Sequence, residues 1–143
     1  SPIAAGRAAQ LGAYVRFEST LPDRVASLAA ISVAREYDCH FEWTAQEAGA
    51  RRVGVRGEAI DAIKNRRAPQ GLNAEEALVF NFTQELMRQH RVSEATWQAA
   101  LDRFGLKAVT DLVIAIGYFA FLACALNAFE VDPGPERPST LPM

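Results

Sequence analysis

An uncharged stretch from Leu112 to Phe129 restricts what this chain can fold into more than any other feature of the sequence. Its length meets the threshold for a membrane-spanning helix. It is rich in alanine rather than leucine, however, and acidic Asp111 and Glu130 flank it where a cytoplasmic anchor would carry basic residues. We therefore predict a buried central helix and expect no membrane partner. A helix that is apolar on nearly all sides is covered more easily with a second subunit, which predicts a homo-oligomer.

The rest of the chain is also predicted to be helical. Apolar residues recur at spacings of three and four from Val25 onward, whereas Val, Ile and Thr are too scattered for strands of alternating pattern. We expect an all-α fold with a single domain over residues 1–143 and about six helices. The predicted helices run over about 22–36, 38–54, 58–65, 74–90, 93–105 and 107–128, and an extended proline-rich tail follows at 131–143.

Charge and composition exclude several classes of partner. The chain of 143 residues has 15 basic and 17 acidic residues and a formal net charge of −2, so it has no surplus of positive charge to neutralise phosphates. We expect no nucleic-acid partner. Two cysteines and two histidines do not form a zinc-binding pattern, and we expect no metal and no cofactor. The first residues lack a basic stretch before an apolar run, so we expect no signal peptide and a cytoplasmic location.

Five segments of the sequence carry a family resemblance. They are LPDRVASL at 21–28, VARE at 33–36, EWTAQEAGA at 42–50, DLVIAIGY at 111–118 and LNAF at 126–129. Through these segments the chain resembles the carboxymuconolactone decarboxylase family over about residues 10–130. The resemblance implies an all-α, AhpD-like subunit that assembles into homotrimers or homohexamers. It also implies one of two chemistries, lactone decarboxylation or thiol-based peroxide reduction of the alkylhydroperoxidase AhpD kind.

The redox branch of this family uses a glutamate, two cysteines separated by two residues, and a histidine. These positions fall on Ser27, Cys39, Glu42 and Gln46 of this chain, so only the first cysteine is kept. Glu42 cannot resolve a sulfenic acid, and the Gln46 amide cannot relay a proton because it has no usable pKa. Peroxide reduction at Cys39 would therefore need an external thiol, since we expect Cys124 to lie in the core.

Two interpretations of Cys39 remain open. Asp38 is the predicted N-cap of its helix, and the positive end of the helix dipole would favour a thiolate at Cys39. The carboxylates of Asp38 and Glu42 would oppose it, because a like charge disfavours a second anion. The alternative is a buried cysteine with a structural role.

Cys39, Glu42 and Gln46 are spaced i, i+3 and i+7, which places them on one face of a helix. In a dry pocket Glu42 would have a raised pKa and act as acid or base, and Gln46 would donate to a substrate carbonyl or carboxylate. Glu42 could instead be a buried acid bound by a backbone amide or an arginine, and His40 a surface histidine rather than a proton carrier. The residues expected to line such a pocket beside these three are Tyr37, His40 and Trp43.

Three functions are compatible with these residues. The leading hypothesis is a non-redox enzyme that acts on a small organic acid or lactone, with Glu42 as proton shuttle. The second is a thiol peroxidase that uses Cys39 without an adjacent resolving cysteine. The third is an oligomer that binds a small molecule and has no catalytic activity.

Overall fold

The computed structural model describes residues 1–143 and contains six helices and no strand. Helix α1 (Pro2–Ala13) continues into a π-helical turn (Tyr14–Glu18), and α2 (Asp23–Glu36), α3 (His40–Arg52), α4 (Gly57–Lys64), α5 (Ala74–Gln89) and α6 (Glu94–Ala128) follow. The prediction of an all-α chain is confirmed. Helix α1 was not predicted, and the two helices expected over 93–128 form one element that bends at Gly105, where φ is 80° and ψ is 162°.

The centre of the bundle is α2, which packs against α3, α5 and α6. Every residue from Leu28 to Ala34 is buried, because small alanines alternate with larger apolar residues and let neighbouring helices approach from several sides. The apolar stretch from Leu112 to Phe129 was predicted to form the central helix, and this prediction is wrong because α2 occupies the centre. The composition of this stretch shows that it is apolar. Only the packing of the helices shows that α2 is more completely buried than this stretch.

Helix α6 has one buried face and one open face. Leu112, Ala115 and Phe119 are buried, whereas Val113 and Phe121 are 40% and 53% exposed. The helix is long and apolar enough to cross a membrane by length and composition alone, and 44% of its most apolar window is buried within the chain. The open face forms an apolar groove with α1. That a second copy of the chain covers this face stays a prediction.

Side-chain caps begin two of the helices as the sequence predicts. Asn73 Oδ1 accepts a hydrogen bond from the backbone N–H of Glu76 at 2.8 Å, and Ser93 Oγ accepts one from Thr96. Asp38 does not cap α3. Its φ of 47° lies in the left-handed region, and Cys39 occupies the N-cap position instead. The Asp38 carboxylate is drawn away from the helix because it pairs with two arginines.

A buried carboxylate fastens the segment between α1 and α2 to the bundle. Asp111 on α6 accepts a hydrogen bond from the Tyr14 hydroxyl at 2.6 Å and two from Thr20, from its N–H at 2.9 Å and its hydroxyl at 2.7 Å. The tail after α6 has no helix or strand and lies against α3, where Leu141 is buried. The segment held by Asp111 forms one wall of a cavity.

Candidate functional site

A cavity of about 390 Å³ lies between α2, α3 and the segment that joins α1 to α2. The space exists because the facing positions of the two helices carry alanine or glycine, whose side chains leave room between the backbones. The small residues on this cavity are Ala26 and Ala30 of α2 and Ala45 and Gly49 of α3.

Glu42 is buried next to this cavity, with 6% of its surface exposed, and is not itself one of the lining residues. It lies one turn along α3 from Ala45 and Gln46, which line the cavity, and its Oε2 atom has no hydrogen-bond partner. Burial raises the pKa of the Glu42 carboxyl, and the nearby Gln46 amide and the charge of Arg16 lower it by less. Glu42 therefore keeps its proton to a higher pH than an ordinary glutamate and can serve as a general acid.

Two arginines give the cavity its charge. Arg16 and Arg52 both line it, and neither forms an ion pair within the chain. Asp23 is the acidic residue on the cavity wall. An arginine without a carboxylate partner can bind one from a ligand through two parallel N–H donors. The cavity is thus suited to a small molecule that carries a carboxylate.

Part of the wall is apolar. Val15, Leu21 and Phe119 line the cavity and are all largely buried, with exposed fractions of 5%, 8% and 6%. A charged group placed against these side chains would lose its water without gaining a hydrogen bond. The arginines of the cavity therefore favour an anion, and its apolar residues disfavour one.

Cys39 is completely buried at the start of α3 and does not line the cavity. Burial raises the pKa of its thiol, and the backbone amides of Glu42 and Phe41 offset this only in part. Cys124 is exposed on α6, so the expectation that it lies in the core is wrong in the single chain, because it falls outside the buried face of that helix. Both thiols are free.

Tyr37, His40 and Trp43 do not line the cavity. His40 Nδ1 lies 2.8 Å from the hydroxyl oxygen of Ser139, and Trp43 Nε1 donates to the hydroxyl oxygen of Thr140 at 2.9 Å. Two of these three residues therefore hold the tail on α3. The structure brings Glu42 and Gln46 together and leaves Cys39 buried at the start of α3.

Two residues of this cavity were not recognised in the sequence. Arg52 lies three residues after Gly49 and seven after Ala45 on one face of α3, so helical periodicity could have grouped it with these two lining residues. Arg16 belongs to a segment without a periodic pattern. It reaches the cavity only because Asp111 fixes the residues on either side of it.

The two cysteines are expected to react with iodoacetamide at very different rates in the native protein. Cys124 is exposed, whereas Cys39 is enclosed and its raised pKa reduces the thiolate that alkylation requires. Mass spectrometry of the folded protein at pH 8 should find the label on Cys124, and on both cysteines after unfolding. Labelling of Cys39 before Cys124 would contradict a structural role for the buried thiol.

Comparison with known proteins gives two matches. The sequence model of the carboxymuconolactone decarboxylase family matches residues 3–85, which is more than half of the chain. The fold resembles the crystal structure of a protein of unknown function from Agrobacterium tumefaciens, suggested to be an antioxidant defence protein, AhpD. The TM-score is 0.83 at 16% identity, over 94% of this chain and 93% of that chain. At this identity the likeness concerns the fold. No curated protein matches the sequence.

Proposed function

Because the chain belongs to the carboxymuconolactone decarboxylase family, we propose that it is a non-redox enzyme acting on a small organic acid or lactone. One observation carries this proposal. A buried glutamate with a raised pKa and an unpartnered oxygen lies one helical turn from a cavity that presents two unpaired arginines. An acid that holds its proton beside an anion-binding wall is suited to protonating a carbanion.

Substrate binding is assigned to the charged wall. Arg16 and Arg52 bind a carboxylate that the substrate retains, and the amide of Gln46 donates a hydrogen bond to the lactone carbonyl oxygen. A second carboxylate lies against Val15 and Phe119, where it is poorly solvated. Loss of that group as carbon dioxide is favoured by its removal from water.

The proposed reaction breaks one carbon–carbon bond. The bond to the second carboxylate cleaves and carbon dioxide leaves, and the electron pair of the bond passes to the lactone as an enolate. Glu42 then transfers its proton to the carbon, directly or through one water molecule, and regains a proton from solvent. The reaction is redox-neutral and uses no thiol.

The burial of Cys39 weighs against the peroxidase alternative. A peroxidatic cysteine must meet peroxide as an exposed thiolate, whereas Cys39 is enclosed and its pKa is raised. The state of Glu42 weighs against a purely binding role. A buried carboxyl without a full set of partners costs stability, which is typical of a group that is kept for chemistry.

Replacing Arg16 by glutamine tests the function and the binding role together. We expect the purified protein to release carbon dioxide from at least one member of a panel of five-membered lactone carboxylic acids. Arg16→Gln should raise KM by about 10- to 100-fold, because a hydrogen-bonded charge pair of about 1.5–3 kcal/mol is lost. The matched control is Arg91→Gln, which removes the same charge at an exposed position away from the cavity.

Two outcomes would contradict these proposals. Equal KM values for Arg16→Gln and Arg91→Gln would remove Arg16 from the substrate site. If the protein does not accelerate carbon dioxide release from any member of the panel, the proposed decarboxylation is rejected.

A further inference from the structure

A second cavity, of about 400 Å³, lies where the end of α2 meets the α4–α5 loop and α5. It shares no lining residue with the cavity beside Glu42. Its distinguishing feature is that four arginines line it. They are Arg35 of α2, Arg66 and Arg67 of the loop, and Arg88 of α5.

Two of these arginines share a single carboxylate. Arg35 and Arg66 both pair with Asp38, whose side chain is 58% exposed and lies outside the cavity lining. Both are also held by backbone carbonyls, since Arg35 Nε donates to the carbonyl oxygen of Lys64 at 2.7 Å and Arg66 donates to that of Arg35 at 3.3 Å. The two arginines therefore carry one positive charge more than their shared carboxylate can balance. Their hydrogen bonds to backbone carbonyls hold this charge in a fixed position.

The other two arginines differ in their pairing. Arg88 donates twice to Glu36 Oε1, from Nε at 2.8 Å and from Nη2 at 2.6 Å. Arg67 has no ion pair. The acidic residues on the adjoining surface, Glu58 and Asp61, pair with other basic side chains instead. Arg67 supplies the second positive charge without a counter-charge.

The crowding of like charges affects the arginines themselves. Burial lowers the pKa of the Arg35 guanidinium and the charge of Arg66 lowers it further, whereas the charge of Glu36 raises it by less. Guanidinium groups stay protonated under ordinary conditions, so this crowding costs free energy in the unliganded chain. An anion between the arginines would remove that cost.

The remaining wall indicates what the anion is attached to. Ile63, Leu72 and Phe80 give the cavity an apolar side, and Gln84 lines it with a buried Oε1 atom that accepts no hydrogen bond. A ligand with a flat apolar body would cover the apolar side of the cavity. A hydrogen-bond donor on the same ligand would satisfy the Gln84 Oε1 atom. The cavity volume lies in the range of small-molecule sites.

We propose that this second cavity binds a small dianion with an apolar ring, of the kind formed by an aryl phosphate monoester or an aromatic dicarboxylate. Two positive charges without counter-charges match the two negative charges of such a head group. Arginine binds both phosphate and carboxylate oxygens through paired N–H donors. The site is independent of the reaction proposed for Glu42, because the two cavities lie in different places around α2.

Calorimetric titration with phenyl phosphate and with phthalate tests the proposal. At least one should bind with a Kd below about 1 mM, more tightly than inorganic phosphate, which cannot use the apolar wall. If phenyl phosphate binds more tightly than phthalate, the ligand class is a phosphate ester. If phthalate binds more tightly, the ligand class is a dicarboxylate. Arg67→Gln should weaken binding at least 10-fold without affecting folding, because Arg67 is exposed and unpaired.

Two control variants locate the binding. Arg91→Gln removes the same charge elsewhere and should leave the affinity unchanged. Arg16→Gln alters the cavity beside Glu42 and should also leave it unchanged. Absence of binding by either probe would overturn the proposal. Loss of binding in Arg16→Gln but not in Arg67→Gln would do the same, since it would place the anion in the other cavity.

Discussion

Replacing Glu42 by glutamine is expected to lower kcat by about 10²- to 10⁴-fold on any lactone or organic acid that the enzyme decarboxylates. The amide has nearly the same shape as the carboxylic acid but cannot deliver a proton to the carbanion. The measurement is steady-state carbon dioxide release at saturating substrate. Glu94→Gln, at an exposed carboxylate in the first turn of α6, is the matched control and should retain full activity.

The stability of the Glu42→Gln variant distinguishes lost chemistry from a lost fold. Because the folded pKa of Glu42 is raised above the usual value of about 4.3, wild-type stability falls as the pH rises from that value through the folded pKa. Glutamine does not ionise, so the variant should be at least as stable as the wild type at neutral pH. Thermal unfolding at pH 4 and pH 7 measures this, and full activity in a folded variant would exclude Glu42 as the proton donor.

Replacing Asp111 by asparagine is expected to lower the free energy of unfolding by about 2–3 kcal/mol. The carboxylate accepts hydrogen bonds from the Tyr14 hydroxyl and from the N–H and hydroxyl of Thr20. An amide has no charge to strengthen these bonds, and its nitrogen would face the Thr20 N–H at one oxygen position and force the Tyr14 hydroxyl to turn and accept at the other. For a chain of this size, Tm should fall by about 5–10 °C in thermal unfolding followed by circular dichroism. Asp102→Asn, at an exposed site on α6, should have little effect.

The loss of unfolding free energy in Asp111→Asn should depend on pH in a defined direction. Burial raises the pKa of Asp111, but the hydrogen bonds from Thr20 and Tyr14 and the charge of Lys107 lower it by more, so the net shift is downward. The stabilisation is therefore complete above the usual aspartate pKa of about 3.9 and is lost as the pH falls through the folded pKa. Wild type and Asp111→Asn should converge in acid, and a difference that stays constant across the titration would contradict this origin.

The same bonds link the fold to the site. The segment from Tyr14 to Thr20 carries Arg16, and Asp111 holds both of its ends from 97 and 91 residues away along the chain. Asp111→Asn should thus also raise KM in the residual folded protein. Asp111 acts by positioning Arg16, since it does not line the cavity itself.

Helix formation was predictable where the local signals were strong. The apolar spacing of α2 and the Asn73 cap of α5 are properties of a few neighbouring residues, and both appear as expected. Helix α1 was missed because it contains few large apolar residues and buries only Gly12, so no apolar face marks it. The high helix propensity of its alanines is a weaker signal than periodicity.

The candidate site was predictable only along α3. Helical spacing placed Glu42 and Gln46 on one face, and the structure brings them together. The same spacing grouped Cys39 with them, but Asp38 turns away to pair with arginines, and the cysteine becomes a buried N-cap. The aromatic and histidine neighbours were expected in the pocket, whereas the tail after α6 takes up His40 and Trp43.

The sequence by itself determined that the chain is helical and which residues of α3 share a face with Glu42. These properties depend on backbone geometry that repeats every 3.6 residues and on caps within one turn. Only the tertiary structure decided that α2 is the central helix, that Arg16 joins Glu42, and that four arginines surround a second cavity. These arrangements join segments far apart in the chain, and they arise from packing and from buried charges such as Asp111 rather than from any local pattern.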